Sequence, residues 1–105
     1  MELKCVVAIV RPEVVEILER KLGVIHIHGV TVTRVRGFGV HPNYFADDWT
    51  TEHVKIEIFA KAENVDALVN TIMDAARVGA SGNGVVAVIP VEKFLRIRSG
   101  AEAIP

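Results

Sequence analysis

Apolar and polar residues along the first third of the chain follow the spacing first of a strand, then of a helix, then of a strand again. Residues Leu3–Val10 are mostly apolar and β-branched, which predicts a buried strand. Pro12 stands where a helix would begin, since a first-turn residue does not need its N–H group. The helix predicted from Val15 has an apolar stripe formed by Leu18, Leu22 and Ile25. Residues Val30–Val35 then alternate, which predicts a strand with one polar or ligand-facing side.

The second half of the chain repeats this order. The segments predicted there are an irregular stretch at Val40–His53, a strand at Val54–Ala60, a helix at Asn64–Arg77, a glycine-rich turn at Gly79–Gly84, a strand at Val85–Ile89 and a short terminal strand at Phe94–Arg98. Asn64 is a suitable N-cap for the helix, because its side-chain oxygen can accept from a backbone N–H of the first turn. Pro90 is expected to end the strand that precedes it.

Two strand–helix–strand halves of similar length predict an α+β, ferredoxin-like (βαβ-βαβ) sandwich in a single domain spanning residues 1–105. Both helices are expected on one face of an antiparallel sheet. The other face has apolar residues of its own, and the pattern supplies no further element to cover it. Self-association through the sheets is therefore predicted.

Composition and motifs exclude several classes of function. A formal net charge of −1 argues against binding to nucleic acid, because no basic stripe is present to neutralise phosphates. Apolar runs such as Gly84–Val91 are too short to insert across a bilayer. Cys5 is the only cysteine, which fits a reducing, cytoplasmic environment. No Ser/His/Asp set or His-Glu-x-x-His motif is present, so we expect no enzyme activity beyond weak nucleotide hydrolysis.

Two polar motifs are able to bind an anion. In Arg96-Ile-Arg-Ser-Gly100, an extended backbone would aim Arg96 and Arg98 the same way, with both guanidinium groups free to bind phosphate or carboxylate. The closely spaced glycines of Gly79–Gly84 allow positive φ and expose successive N–H groups as an anion nest. The alternatives are a solvated edge strand for the arginines and a glycine-rich helix end and turn for the glycines.

Several short segments, taken in order, resemble the PII signal-transduction family of trimeric, ferredoxin-like nitrogen and carbon regulators. The segments are Val10-Arg-Pro12, Gly29-Val-Thr31-Val-Thr33, Arg36-Gly-Phe-Gly39, Val54-Lys-Ile-Glu-Ile58, Ala75-Ala-Arg77, Gly79–Gly84 and Arg96–Gly100. The resemblance covers nearly the whole chain and implies assembly as a homotrimer. It also implies that residues 40–53 match the T-loop, which docks into target proteins, that residues 79–84 match the B-loop, and that residues 96–100 match the C-terminal loop.

The resemblance further implies that adenine nucleotides (ADP, AMP or ATP) bind in clefts between neighbouring subunits. Thr31 would contact adenine, with the backbone around Gly37 and Phe59 nearby. The B-loop glycines would cradle phosphate, and the C-terminal arginines would reach it from the adjacent chain. Arg77 would join this anion site or complement the dipole of its helix. The full set of implied nucleotide-binding residues is Thr31, Gly37, Phe38, Gly39, Phe59, Arg77, Gly82, Asn83, Gly84, Arg96 and Arg98.

The chain departs from the family pattern at positions that decide ligand preference. The loop at 40–53 is shorter than a full T-loop, with Val40-His41 in place of Arg-Gln and His53 in place of Lys. These departures argue against sensing of 2-oxoglutarate. The sequence does not identify which small molecule would act as a second effector beside the nucleotide. Val40 and Val85 also replace two phosphate-binding cations, so ADP or AMP is expected to bind at least as well as ATP.

The partner implied is a membrane transporter or a cytoplasmic enzyme. Tyr44, Phe45 and Trp49 are aromatic residues of the kind enriched at interfaces, and they either dock into that target or fold back onto the trimer. An alternative function is a metal-responsive trimer resembling the cation-tolerance proteins. Its candidate ligands are His26, His28, His41 and His53.

Overall fold

The computed structural model describes residues 2–27, 29–37, 51–77 and 84–105. Its strands and helices are, in order, β1 (Leu3–Val10), a 3₁₀ turn (Pro12–Val14), α1 (Val15–Val24), β2 (Val30–Gly37), β3 (Thr51–Lys61), a second 3₁₀ turn (Ala62–Asn64), α2 (Val65–Ala76) and β4 (Val85–Val91). None of the helices in the described ranges is long and apolar enough to span a membrane.

The four strands form one antiparallel sheet in the order β2-β3-β1-β4. Each strand–helix–strand unit therefore spans an intervening strand that belongs to the other unit, which is the split arrangement of a ferredoxin-like fold. In the centre of the sheet, Cys5 lies opposite Phe59 on one side and opposite Ile89 on the other. The predicted α+β, ferredoxin-like fold is confirmed.

One hydrophobic core lies between the sheet and both helices. The strands contribute even-numbered residues, because alternate side chains point to the same face and the register pairs even with even. The buried residues that form this core are Val6, Ala8, Val10, Val14, Leu18, Leu22, Val54, Ile56, Ile58, Ala60, Val65, Leu68, Ile72 and Ala75. The helices bury residues at spacings of three and four, so each covers the sheet with one stripe.

The helix ends differ from the prediction in three details. Pro12 begins a 3₁₀ turn that leads into α1, which ends at Val24. Ile25 therefore follows the helix and is exposed, so its predicted place in the apolar stripe is wrong. Asn64 makes no side-chain capping hydrogen bond to α2, because a 3₁₀ turn precedes this helix and gives Asn64 helical dihedral angles.

The strand ends also differ. β2 continues past its predicted end to Gly37, and β3 begins before its predicted start, at Thr51. The last residues of the predicted irregular stretch therefore belong to β3. Residues 40–50 of that stretch lie outside the described residues. β4 continues through Pro90 to Val91. This strand stands last in the sheet order, where a residue without an N–H group is tolerated.

The odd-numbered residues of the strands share the face of the sheet that lies away from the helices, which we call the open face. On β1 and β4 it is apolar, with Val7 and Ile9 partly buried and Ile89 47% exposed. On β3 it carries Lys55 and Glu57. In the described part of the chain, no element packs over this apolar area.

Cys5 also lies on the open face, yet it is buried within the sheet. Burial in a poorly solvated site raises the pKa of the Cys5 thiol, and the negative charge of Glu57 raises it further. The Cys5 thiol therefore stays protonated near neutral pH. Because the nucleophilic form of a cysteine is the thiolate, the protonated thiol reacts slowly.

We expect Cys5 in the native protein to react with iodoacetamide at pH 8 at least about tenfold more slowly than in the chain unfolded in concentrated urea. Burial and the raised pKa both act in this direction. Mass spectrometry of samples quenched at successive times measures the two rates. Equal rates would contradict the buried, protonated thiol.

Two glycines provide a matched test of backbone conformation. Gly84 has a φ of +136°, and a Cβ there would collide with the carbonyl oxygen of Ile9. Gly23 lies in α1 with open space around its Cα. We expect Gly84→Ala to lower the free energy of unfolding by ~1–3 kcal/mol, and Gly23→Ala to raise it by up to ~1 kcal/mol. Urea denaturation followed by circular dichroism measures both. Equal effects would show that Gly84 does not need its conformation.

Candidate functional site

The C-terminal segment forms a turn and not the predicted strand. Gly100 N–H donates to the carbonyl of Arg96 at 2.8 Å, and Arg96 N–H donates to the carbonyl of Ala101 at 3.0 Å. Gly100 adopts a φ of +69°, which reverses the chain so that Leu95 and Glu102 form a single bridge. The alternation that would aim Arg96 and Arg98 the same way is therefore absent, and the prediction of a strand at Phe94–Arg98 is wrong.

The turn closes one side of a pocket that we call the Thr31–Arg96 pocket. It has a volume of about 530 Å³ and opens where β2 begins and β3 ends. Its lining consists of His26, Ile27, Gly29, Val30, Thr31, Phe59, Ala60, Lys61, Asn64, Phe94, Arg96 and Pro105. Three of the implied nucleotide-binding residues, Thr31, Phe59 and Arg96, are thus brought together by β2, β3 and the C-terminal turn.

The charges in this pocket favour an anion. Lys61 and Arg96 are cationic, and the imidazole ring of His26 is able to donate a hydrogen bond. None of the described residues that line the pocket is Asp or Glu. An anionic ligand therefore meets hydrogen-bond donors without a competing Asp or Glu side chain among the described residues, and a guanidinium group is able to bind phosphate bidentately.

An aromatic pair forms part of the same lining. The ring centroids of Phe59 and Phe94 are 5.0 Å apart, and their planes are tilted by 48°. Phe59 projects from the open face of β3, and Phe94 lies at the start of the C-terminal turn. Contact between the two rings joins the turn to the sheet. The pocket therefore offers apolar, planar surface beside its cations.

Two further described candidates for phosphate binding, Arg77 and Gly84, lie in a different groove, which we call the Arg77–Gly84 groove. It has a volume of about 400 Å³ and runs between α2 and the edge strand β4. Its lining consists of Val10, Val69, Met73, Ala76, Arg77, Gly84, Val85, Val86 and Val88. Arg77 follows the last turn of α2, where its N–H donates to the carbonyl of Met73 at 3.1 Å. From there it is placed to complement the helix dipole, and its predicted alternative role in an anion site stays a prediction.

The remaining predicted residues fall into two groups. Gly37 ends β2 opposite Thr51, and Arg98 is exposed in the C-terminal turn. The implied nucleotide contacts Phe38, Gly39, Gly82 and Asn83 lie outside the described residues, as do the partner-binding candidates Tyr44, Phe45 and Trp49.

The histidines proposed as metal ligands are not assembled in the described part of the chain. His26 has a φ of +61° and lies in the turn after α1, so its backbone is not extended. His53 is buried in β3, beside a groove lined by α1 and β2. His28 and His41 lie outside the described residues. Among the residues that are described, no group of three or more His, Cys, Asp or Glu is placed to hold a metal ion.

Sequence reasoning missed Phe94, Lys61 and His26 as pocket residues. Phe94 is two positions before Arg96, so its apolar ring next to the arginine motif was a usable signal. Lys61 and His26 gave no such signal in the sequence, because they share a pocket with Arg96 only through the arrangement of the sheet and the position of the C-terminal turn.

Comparisons with known proteins agree with this fold. The sequence model of the family described as "Nitrogen regulatory protein P-II" matches residues 3–101. A relative named nitrogen regulatory protein P-II 2, from Methanothermobacter thermautotrophicus, is 37% identical in an alignment 105 positions long, which covers 93% of this chain and 91% of that protein. The P-II homolog of Arabidopsis thaliana is 39% identical over 101 residues, but the match covers 89% of this chain and only 52% of that protein.

A solved structure is similar along nearly the whole chain. The crystal structure of Arabidopsis thaliana PII bound to citrate superposes with a TM-score of 0.82 at 38% sequence identity. The match covers 97% of this chain and 89% of that one. Sequence and structure therefore point to the same set of relatives.

Proposed function

Because the chain belongs to the family of nitrogen regulatory proteins P-II, we propose that it is a homotrimeric signalling protein that binds adenine nucleotide between neighbouring copies. Proteins of this family are regulators and not enzymes, which confirms the prediction that this chain is not an enzyme. The target we propose is a membrane transporter or an enzyme, reached in the cytoplasm through residues 40–53.

The observation that carries the proposal is the Thr31–Arg96 pocket. It combines a hydroxyl group, a guanidinium group and aromatic surface, and no Asp or Glu among the described residues lines it. A nucleotide needs such a combination, since its base is planar and apolar on both faces while its phosphates are anionic. The citrate bound to Arabidopsis PII supports a small anionic effector for this chain as well.

The separation of the two groups of binding residues supports a site shared between copies. Thr31 lies on β2 and Gly84 immediately precedes β4, and these strands are the opposite edges of the sheet. Neighbouring strands are about 4.8 Å apart, so the two edges are separated by roughly 14 Å. A second copy that brings its own Thr31–Arg96 pocket to the Arg77–Gly84 groove would let both contribute to one ligand.

The open face supports the trimer. Its apolar area on β1 and β4 includes Val7, Ile9 and Ile89, and burying such side chains stabilises an assembly by about 25 cal/mol per Å². Three sheets that meet through this face would bury it without a further element. Closed cyclic assemblies of this kind are the usual outcome for one repeated contact.

We expect isothermal titration calorimetry to detect binding of ATP, ADP and AMP, with ADP or AMP at least as tight as ATP. Arg96→Ala should weaken ATP binding at least about tenfold, because it removes a charge-assisted contact to phosphate. Arg20→Ala, which removes an exposed arginine of α1, is the matched control and should leave the affinity unchanged. Absence of heat with all three nucleotides would refute nucleotide binding.

We expect Ile89→Asp to raise the dissociation constant of the trimer at least about a hundredfold, because it places a carboxylate in the apolar contact. Sedimentation velocity measures the assembly. Val24→Asp is the matched control, since Val24 is 77% exposed at the end of α1. A wild-type protein that sediments as a monomer would contradict the trimer, and an unaltered trimer in Ile89→Asp would exclude this face as the contact.

A further inference from the structure

The Phe59–Phe94 pair is not part of the hydrophobic core. Neither residue belongs to the cluster of buried side chains between the sheet and the helices, and Phe59 remains 41% exposed. Two phenylalanines in contact at the wall of a pocket expose apolar surface to water, which costs free energy unless something covers it. A planar, apolar group that fits beside Thr31 and Arg96 would cover this surface.

We propose that the base of the bound nucleotide stacks on the aromatic wall formed by Phe59 and Phe94. The inference rests on the proposed nucleotide site and adds to it the manner in which the base is recognised. Phe94 becomes a binding residue, and Phe59 contributes its ring as well as its backbone. Stacking on an aromatic side chain suits any purine, because every base has a π-face.

The placement of polar groups around the wall agrees with this arrangement. Thr31 and Phe59 project from the same face of the sheet, since the register places Thr31 opposite Glu57 and alternation places Glu57 and Phe59 on one side. Arg96 follows Phe94 by two residues in the C-terminal turn. A base on the rings therefore lies within the lining that carries both a hydroxyl group for its edge and a guanidinium group for its phosphates.

Phe94 has a second role that an experiment must separate from stacking. Its carbonyl accepts from Ala103 N–H at 2.9 Å, and its ring holds the turn against Phe59. If this second role predominated, loss of the ring would displace Arg96 and weaken the binding of phosphate. A ligand that has phosphates but no base distinguishes these roles, because displacement of Arg96 weakens it while loss of stacking does not.

The experiment compares ATP with inorganic tripolyphosphate by calorimetry, in the wild type and in Phe94→Leu. Leu95→Ala is the matched control, because Leu95 is the neighbouring exposed residue and does not line the pocket. We expect Phe94→Leu to weaken ATP binding at least about fivefold, with tripolyphosphate binding changed by less than about twofold. Phe94→Tyr, which keeps the ring, should bind ATP like the wild type, and it also serves if Phe94→Leu folds poorly.

A fluorescent probe provides an independent reading. The emission of 2-aminopurine riboside triphosphate is quenched when its base stacks, so we expect strong quenching by the wild type and by Phe94→Tyr, and weaker quenching by Phe94→Leu, which keeps only the ring of Phe59. An equal loss of affinity for ATP and tripolyphosphate, or unchanged ATP binding by Phe94→Leu, would overturn the stacking while leaving nucleotide binding in place. Failure of the wild type to bind ATP would instead overturn the nucleotide site itself.

Discussion

The antiparallel pairing of β1 with β3 is the constraint on which the rest of the structure depends. It aligns Val6 with Ile58 and Ala8 with Ile56, so that one face of the sheet centre is continuously apolar. Both helices cover this face, and the two remaining strands attach to its sides as β2 and β4. A slip of one residue in this pairing would turn the buried side chains of a central strand to the open face. The positions of both pockets follow, since each opens beside an edge strand.

Local patterns in the sequence were sufficient to predict the order of elements, because strand and helix periodicity depends on neighbouring residues alone. β1 begins and ends where the apolar, β-branched run does, at Leu3 and Val10. The prediction failed at Phe94–Arg98, where a strand-like pattern becomes a turn. There the left-handed conformation of Gly100 and the contact of Phe94 with Phe59 outweigh the local preference. Such a contact joins residues far apart in sequence, which periodicity cannot report.

The candidate site was predictable in its chemistry and less so in its arrangement. The resemblance to the family supplied Thr31 and Arg96, and the structure places both in one pocket. It supplied Arg77 and Gly84 as members of the same set, yet these lie in a separate groove at the other edge of the sheet. The division is a property of the strand order, which the sequence indicates only through the fold. A sequence motif thus indicates which chemical groups are able to bind a ligand. The strand order determines which of these groups lie together in one chain.

The C-terminal turn lies outside the hydrophobic core formed by the described residues, and this separates two properties that are often coupled in small proteins. Its own backbone hydrogen bonds and the Phe59–Phe94 contact hold it in place, and its residues take no part in the buried core. Segments of this kind open locally at a fraction of the free energy needed to unfold the whole protein. Substitutions in the turn can therefore alter ligand affinity while the core stays intact. During evolution, a regulator with this arrangement is able to change which ligand it binds through substitutions in the turn, while the stability of its fold is retained.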